Sequence, residues 1–380
     1  MESAQELRDK HVCAATRIVV KVGTNVLAAS GKPLDDERVR AVAEQIAWLV
    51  EGGRQVALVS SGAIGCGMTS LGMKARPTTL PLLQAAASVG QGTLVAHYER
   101  HFGRYGLHAA QILLTREDFE NRERYLNASN TIHSLFDLGC VPVINENDTI
   151  STDEIKFGDN DMLAALVTHL VRAELLILLT TVPGLYRERP GEGAGGSILE
   201  VAERVDERVE RMVYDEKSPD GLGGMASKLE AARIATEAGE AALIGDGRDP
   251  QVIRKIMSGE PVGTLFPPSA ERLSSYKRWI RFTSRPSGTV RIDAGAQAAL
   301  AERGKSLLPS GVSGVQGEFQ RGDVVRVEGA DGREIARGLV NYSCEEVERI
   351  MGRQTAEIEA ILGHKDYDEV IHRDNMALMQ

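Results

Sequence analysis

Residues 142–161 read PVINENDTISTDEIKFGDND. The apolar stretch Val141–Ile144 reads as a buried strand, and Asn160–Arg172 reads as a helix capped by Asp159 or Asn160. A strand that opens into a loop and closes on a capped helix is the repeating unit of an open α/β sheet. In such sheets ligands bind at the strand ends. This loop carries Glu146, Asp148, Asp153, Glu154, Asp159 and Asp161, with Asn145, Asn147 and Asn160 among them. So many acceptors side by side persist at low cost only where cations, ammonium groups or amide donors meet them. The run therefore predicts a site that grips an amino group, orients lysines, or both.

The same rhythm extends in both directions. Arg17–Val22, Gln55–Ser60, His108–Leu114, Glu174–Thr180 and Ala241–Gly245 read as strands. Asp35–Val50, Leu82–Gly103, Asn121–Leu138 and Met225–Ala238 read as helices. ELLILLT (174–180) is apolar without interruption, as strands covered on both faces are. The expected fold is α/β: a three-layer αβα sandwich with a mainly parallel sheet over residues 14–268. Composition changes after that. Residues 269–284 read as a linker, flanked by Pro267, Pro268 and Pro286. Residues 285–363 show short strands, Gly turns and one helix at Ala294–Glu302, the pattern of a small β-rich second domain. Residues 364–380 read as a polar, partly extended tail.

Bulk properties narrow the function. A chain of 380 residues is comfortable as two domains. A net charge of −10 argues against broad binding to nucleic acid or anionic membrane. The four cysteines, Cys13, Cys66, Cys140 and Cys344, form no CxxC pair, which fits a reducing cytoplasm without a disulfide framework or zinc site. No apolar run approaches the roughly 20 residues needed to span a bilayer, and residues 1–17 lack the apolar stretch of a signal peptide. That N-terminal stretch reads as a short polar extension. GEGAGG (191–196) follows no strand and opens no helix, so it reads as a flexible hairpin tip. Gly31-Lys32 lacks P-loop spacing, and His372-Arg373-Asp374 lies too near the end to belong to a protein-kinase fold. The eight histidines read as packing or surface residues without metal-ligand spacing.

Two further loops share the strand-end position, and a fourth element lies far downstream, before a helix. Lys21-Val22-Gly23-Thr24 offers a cation and backbone N–H groups to phosphate. Ser60-Ser61-Gly62-Ala63 and the small residues after it let a ligand approach the backbone. Leu222-Gly223-Gly224-Met225-Ala226-Ser227-Lys228 forms a second anion cradle, again with a lysine. Two lysines on separate Gly-rich loops make phosphoryl transfer the economical reading, one holding the transferring group and the other the leaving group. There is no obvious general base. A hydroxyl acceptor needs one, whereas a carboxylate of pKa ~4.3 is already ionised at neutral pH.

VVKVGTNVL, VSSGAIGCG, PVINENDTI, EIKFGDND, LLTTVPGLY and GGMASKLEAA occur in this order. Together they closely resemble the glutamate 5-kinase branch of the amino-acid kinase family, and residues 285–363 resemble the PUA domain that follows the kinase domain in many bacterial members. The resemblance implies ATP-dependent, Mg2+-dependent phosphorylation of the γ-carboxylate of L-glutamate, the first step of proline synthesis, with feedback inhibition by proline. It implies that Lys21 and Lys228 contact the ATP phosphates and stabilise the transition state, and that Asp161 orients them. It assigns Ser61, Gly62, Asp148 and Asn160 to glutamate, Asp148 meeting the ammonium group. It lays Gly23, Thr180, Thr181 and Leu222–Lys228 along the nucleotide, with no protein metal ligand. The chain departs from the family pattern at Thr180-Thr181, where Thr-Asp is common, and the residues before Arg17 lie outside the match. A homo-oligomer, dimer or tetramer, is expected. The rival readings are a kinase for N-acetylglutamate or aspartate, and RNA binding through the second domain. Ten basic against twelve acidic residues in 285–360, a net of −2, argue against an RNA footprint and favour a structural or regulatory role.

Overall fold

The computed structural model describes residues 2–29, 33–151, 160–187, 196–212, 224–269, 277 and 279–379. The chain divides into two compact units, Met1–Arg272 and Leu273–Gln380. Among the described residues no helix is long and apolar enough to cross a membrane.

The first unit is built on a seven-stranded sheet: β1 (Arg17–Val22), β2 (Gln55–Ser60), β3 (Ala109–Leu114), β4 (Val141–Glu146), β5 (Leu175–Thr180), β6 (Ala241–Asp246) and β7 (Thr264–Phe266). Their order is β3-β4-β2-β1-β5-β6-β7. All neighbours are parallel except the β6–β7 pair. β1, β2, β4, β5 and β6 are buried along nearly their whole length, whereas edge strand β3 is only partly buried. Continuous burial requires helices on both faces, and the uninterrupted Val, Ile and Leu runs are what such strands need. From β1 the chain builds outward on the β2 side, then returns at β5 to the other side of β1. That reversal is the topological switch point, where the strand ends leave a crevice.

Two helices meet beside this crevice at unusually short range. Ala63–Ser70 follows β2, and Leu80–Phe102 runs against it. A Cβ on Gly67 would lie 1.7 Å from the Ala86 carbonyl oxygen, and one on Gly90 would lie 1.8 Å from that of Ala63. Only glycine permits this backbone contact, which fixes the start of Ala63–Ser70 and the turn before it.

The second unit holds a five-stranded sheet in the order β12-β11-β10-β8-β9, formed by β8 (Gly288–Ile292), β9 (Val312–Gly317), β10 (Val324–Glu328), β11 (Glu334–Leu339) and β12 (Met376–Leu378). Val290, Ile292, Leu300, Phe319, Val325 and Val327 lie in its core.

Both chain ends differ from the sequence expectation. Residues 364–379 enter the second unit: β12 pairs antiparallel with β11, and Val370, Ile371, Met376 and Ala377 are buried. The apolar residues there are too sparse for a periodic signal, and pairing with a distant strand supplies the order. At the other end, residues 4–8 form a helix with a Ser3–Glu6 capping box, continued by a π-turn over Asp9–Cys13. Arg8 is buried and donates to the carbonyls of Glu200, Val262 and Gly263. A guanidinium with several carbonyl partners can be buried where a lone charge cannot. Most of the expected linker, residues 270–276 and 278, lies outside the described residues.

The Gly67–Gly90 contact gives a direct test. Gly90→Ala is expected to destabilise the protein by about 1–3 kcal/mol or more through overpacking, measured by urea unfolding. An unchanged midpoint would contradict the close approach.

Candidate active site

Lys21 is the penultimate residue of β1, in register with Val59 of β2 and Leu178 of β5, so its ammonium group stands at the centre of the sheet's C-terminal edge. Asp161 lies in the first turn of the helix Asn160–Leu170. Lys228 lies one turn into the helix Met225–Glu237, whose N-cap is Gly224. The three meet: Lys21 Nζ is 2.7 Å from Asp161 Oδ1, and Lys228 Nζ donates to Asp161 Oδ2 at 2.9 Å. The side chains are 3%, 7% and 0% exposed for Lys21, Lys228 and Asp161. Ser227 Oγ lies 2.9 Å from both Asp161 Oδ2 and the Gly224 carbonyl oxygen, and its single proton is shared between these two acceptors. One buried carboxylate thus fixes two ammonium groups contributed by two distant segments. Two cations against one anion favour a ligand rich in anionic oxygens.

A polar chain runs beside this cluster. Asn160 Nδ2 donates to Ser61 Oγ (2.7 Å) and to Asn145 Oδ1 (3.0 Å), and Asn145 Nδ2 donates to Gln91 Oε1 (2.9 Å). Ser61 is held through its backbone N–H to the Val22 carbonyl, and Ser60 is paired with the buried Tyr98 hydroxyl. Gly62 has φ 117°, a left-handed conformation that side chains rarely adopt, and it caps Ala63–Ser70 without bulk. Cys66 on that helix is no nucleophile, since burial pushes its thiol up to about 11. Asp148 is half-buried in the turn leaving β4, three residues past Asn145.

The remaining sequence candidates fall around the same edge. Gly23 caps the short helix Thr24–Leu27, and a Cβ there would come within 3.4 Å of Lys21 Nζ. Thr180 ends β5, and its carbonyl accepts from the Gly247 N–H at 2.8 Å; Thr181 follows, half-buried. Met225 and Ala226 open the Lys228 helix, half-buried and exposed respectively. Leu222, Gly223, Asp153, Glu154 and Asp159 lie outside the described residues, so the cap expected at Asp159 does too.

Two members of the polar chain, Asn145 and Gln91, received no role from sequence. The available signal for Gln91 was a polar residue on the buried face of an otherwise apolar helix. The expectation that the histidines lack metal-ligand spacing does not hold. The histidines do include a ligand-like spacing: His97 and His101 are four apart on one helix, and the fold brings Asp36 to both.

A mainly parallel sheet with one lysine at a strand end and a second on a neighbouring helix, both clamped by one aspartate, fits a phosphotransferase, and the chain belongs to the amino acid kinase family. The model of that family matches residues 16–246, and the PUA domain model matches 288–362. The chain is 47% identical over 363 residues to a protein named glutamate 5-kinase from Geobacter sulfurreducens, covering 96% of this chain and 97% of that protein. It is 48% identical over 365 residues to a glutamate 5-kinase from Thioalkalivibrio sulfidiphilus, covering 96% and 97%. Among solved structures it resembles carbamate kinase from Giardia lamblia at 16% identity and a TM-score of 0.48, covering 68% of this chain and all of that one.

Asp161→Asn removes the anion and leaves two ammonium groups facing an amide. The expected loss is about 3–5 kcal/mol, read by urea unfolding without ligand. A variant within about 0.5 kcal/mol of the parent would show that the buried pairs do not organise the site.

Proposed function

We propose that this chain transfers the γ-phosphoryl group of ATP to the γ-carboxylate of L-glutamate, giving L-glutamyl 5-phosphate, the first step of proline synthesis. The observation that carries this reading is the buried Lys21–Asp161–Lys228 cluster, flanked by the Ser61–Asn160–Asn145 chain. The relatives named glutamate 5-kinase support the choice of acceptor.

In the proposed reaction a glutamate carboxylate oxygen attacks the γ-phosphorus. The bond to the β–γ bridging oxygen breaks, and its electron pair leaves with ADP. No proton moves, because the acceptor is already ionised. Lys228 and Lys21 offset the charge on the transferring and leaving oxygens, and Asp161 keeps both aimed without reorganisation during the reaction. Ser61, Gly62 and Asn160 hold the amino acid, and Asp148 receives its ammonium group. N-acetylglutamate has no such ammonium group, which disfavours it as acceptor. Gly23, Thr180, Thr181 and Leu222–Lys228 line the nucleotide. Asp161 already engages lysine with both oxygens, so it is not a Mg2+ ligand; the ion is expected to travel on the nucleotide phosphates, and no step is assigned to a protein-held metal.

Proline is proposed as an inhibitor sharing the glutamate site, the PUA domain as a structural or regulatory element rather than an RNA binder, and the cytoplasm as the location. A dimer or tetramer is proposed as well. Leu82 and Val89, 50% and 44% exposed on one helix, are apolar surface that a second copy would cover.

Lys228→Ala is expected to lower kcat about 10²–10³-fold in a coupled ATPase assay, and near-normal turnover would remove it from the mechanism. Asp148→Asn is expected to raise the KM for glutamate about 10–100-fold with little change for ATP, and equal effects on both would count against the ammonium role. The acceptor itself is tested by comparing glutamate, N-acetylglutamate, aspartate and UMP side by side. Glutamate should dominate; faster turnover of N-acetylglutamate would overturn the assignment.

A further inference from the structure

His97 and His101 stand one turn apart on Leu80–Phe102, so their rings leave the same face of the helix. Asp36, the first residue of the helix Asp36–Glu51, comes to meet them. His97 Nδ1 is 2.8 Å and His101 Nε2 is 2.9 Å from the same carboxylate oxygen, Oδ1, and Arg100 donates to that oxygen as well. The ligand atoms of the two rings and the carboxylate all lie within 4.8 Å of one another. We propose that Asp36, His97 and His101 form a binding site for a divalent transition-metal ion of the zinc class. None of these residues takes part in the phosphoryl-transfer site.

The donor set suits such an ion. The two imidazole nitrogens favour zinc-class ions over magnesium or calcium, the carboxylate oxygen is a third ligand zinc accepts, and three protein ligands leave one position for water. Access is open on one side, since Asp36 and His97 are 45% and 27% exposed while His101 is 1% exposed behind them. Arg100, 55% exposed, has room to withdraw into solvent when a cation arrives.

The hydrogen bonds of the metal-free form define what binding must change. A carboxylate only accepts, so these contacts to Oδ1 place a proton on each of the two ring nitrogens, and Arg100 also lies 3.0 Å from His97 Nδ1; coordination requires each proton to leave or to move to the other nitrogen of its ring. On His101 that nitrogen, Nδ1, is buried with no hydrogen-bond partner. Ligating histidines normally donate there to a carboxylate or carbonyl, and loss of such support weakens binding about 10–100-fold. The site is therefore of moderate affinity, suited to responding to metal rather than holding it permanently.

Its location gives the ion a structural consequence. Asp36 follows Pro33 and Leu34, which pack on the turn after β2. A Cβ on Gly65 would lie 2.6 Å from Pro33 Cβ, and one on Gly62 would lie 3.9 Å from Leu34 Cδ1. An ion here fastens the segment packed against the Ser61–Gly62 loop to the helix Leu80–Phe102.

The test uses chelator-treated full-length protein titrated with zinc against a chromophoric competitor, with thermal unfolding followed in parallel. One equivalent of zinc should bind and raise Tm. His97→Ala, chosen because the ring is half-buried and its loss spares the core, should weaken binding at least about tenfold and abolish the Tm rise. Asp36→Asn should also weaken binding. Equal zinc affinity in the parent and His97→Ala, or no binding by the parent at micromolar protein and metal, would overturn the proposal.

Discussion

The site depends on one buried carboxylate held between two lysines. Asp161 has no solvent exposure, and a charge so placed is tolerated only when paired at good geometry. Its two oxygens take one lysine each, from β1 and from the helix Met225–Glu237. The contact therefore joins three segments far apart in sequence at the switch point of the sheet. It also holds two cations at a fixed separation before any ligand arrives, which is the preorganisation that charge-stabilising catalysis needs.

The surrounding structure serves that arrangement. Continuous burial of β1, β2, β5 and β6 makes the sheet a rigid base. Far from the lysines, His169 on the Asp161 helix sits 2.6 Å from Glu240, just past the Lys228 helix, and both are buried. The two helices are thus tied at both ends. On the other side, the Gly67–Gly90 contact locks the turn that carries Ser61 and Gly62. Each device limits a motion that would separate the lysines or shift the acceptor.

Much of this was legible in sequence. The apolar runs at 17–22, 55–60 and 174–180 gave strands whose ends match the structure to within a residue, because buried parallel strands leave a continuous signal. Lys21 and Lys228 stood out because a lysine at the end of an apolar strand and one in the first turn of a helix after glycines contrast with their neighbours, whereas the place of Asp161 between them came from the family resemblance. Asn145 and Gln91 were not assigned, since a neutral amide gains meaning only from its partner across the fold. The N-terminal helix and β12 were missed for a related reason: buried Arg8 and the late strand are ordered by distant partners, not by local pattern. The His97–His101 spacing was in the sequence but gained weight only when Asp36 was brought beside it.

In the proposed reaction two clamped lysines support the transfer without a general base. The most direct measurement is kcat against pH at saturating ATP and glutamate over about pH 6–9. A flat profile across neutrality is expected, because the acceptor carboxylate stays ionised and no proton is abstracted. A fall toward acid with unit slope and a midpoint near about pH 6–7, the signature of a titrating base, would contradict it.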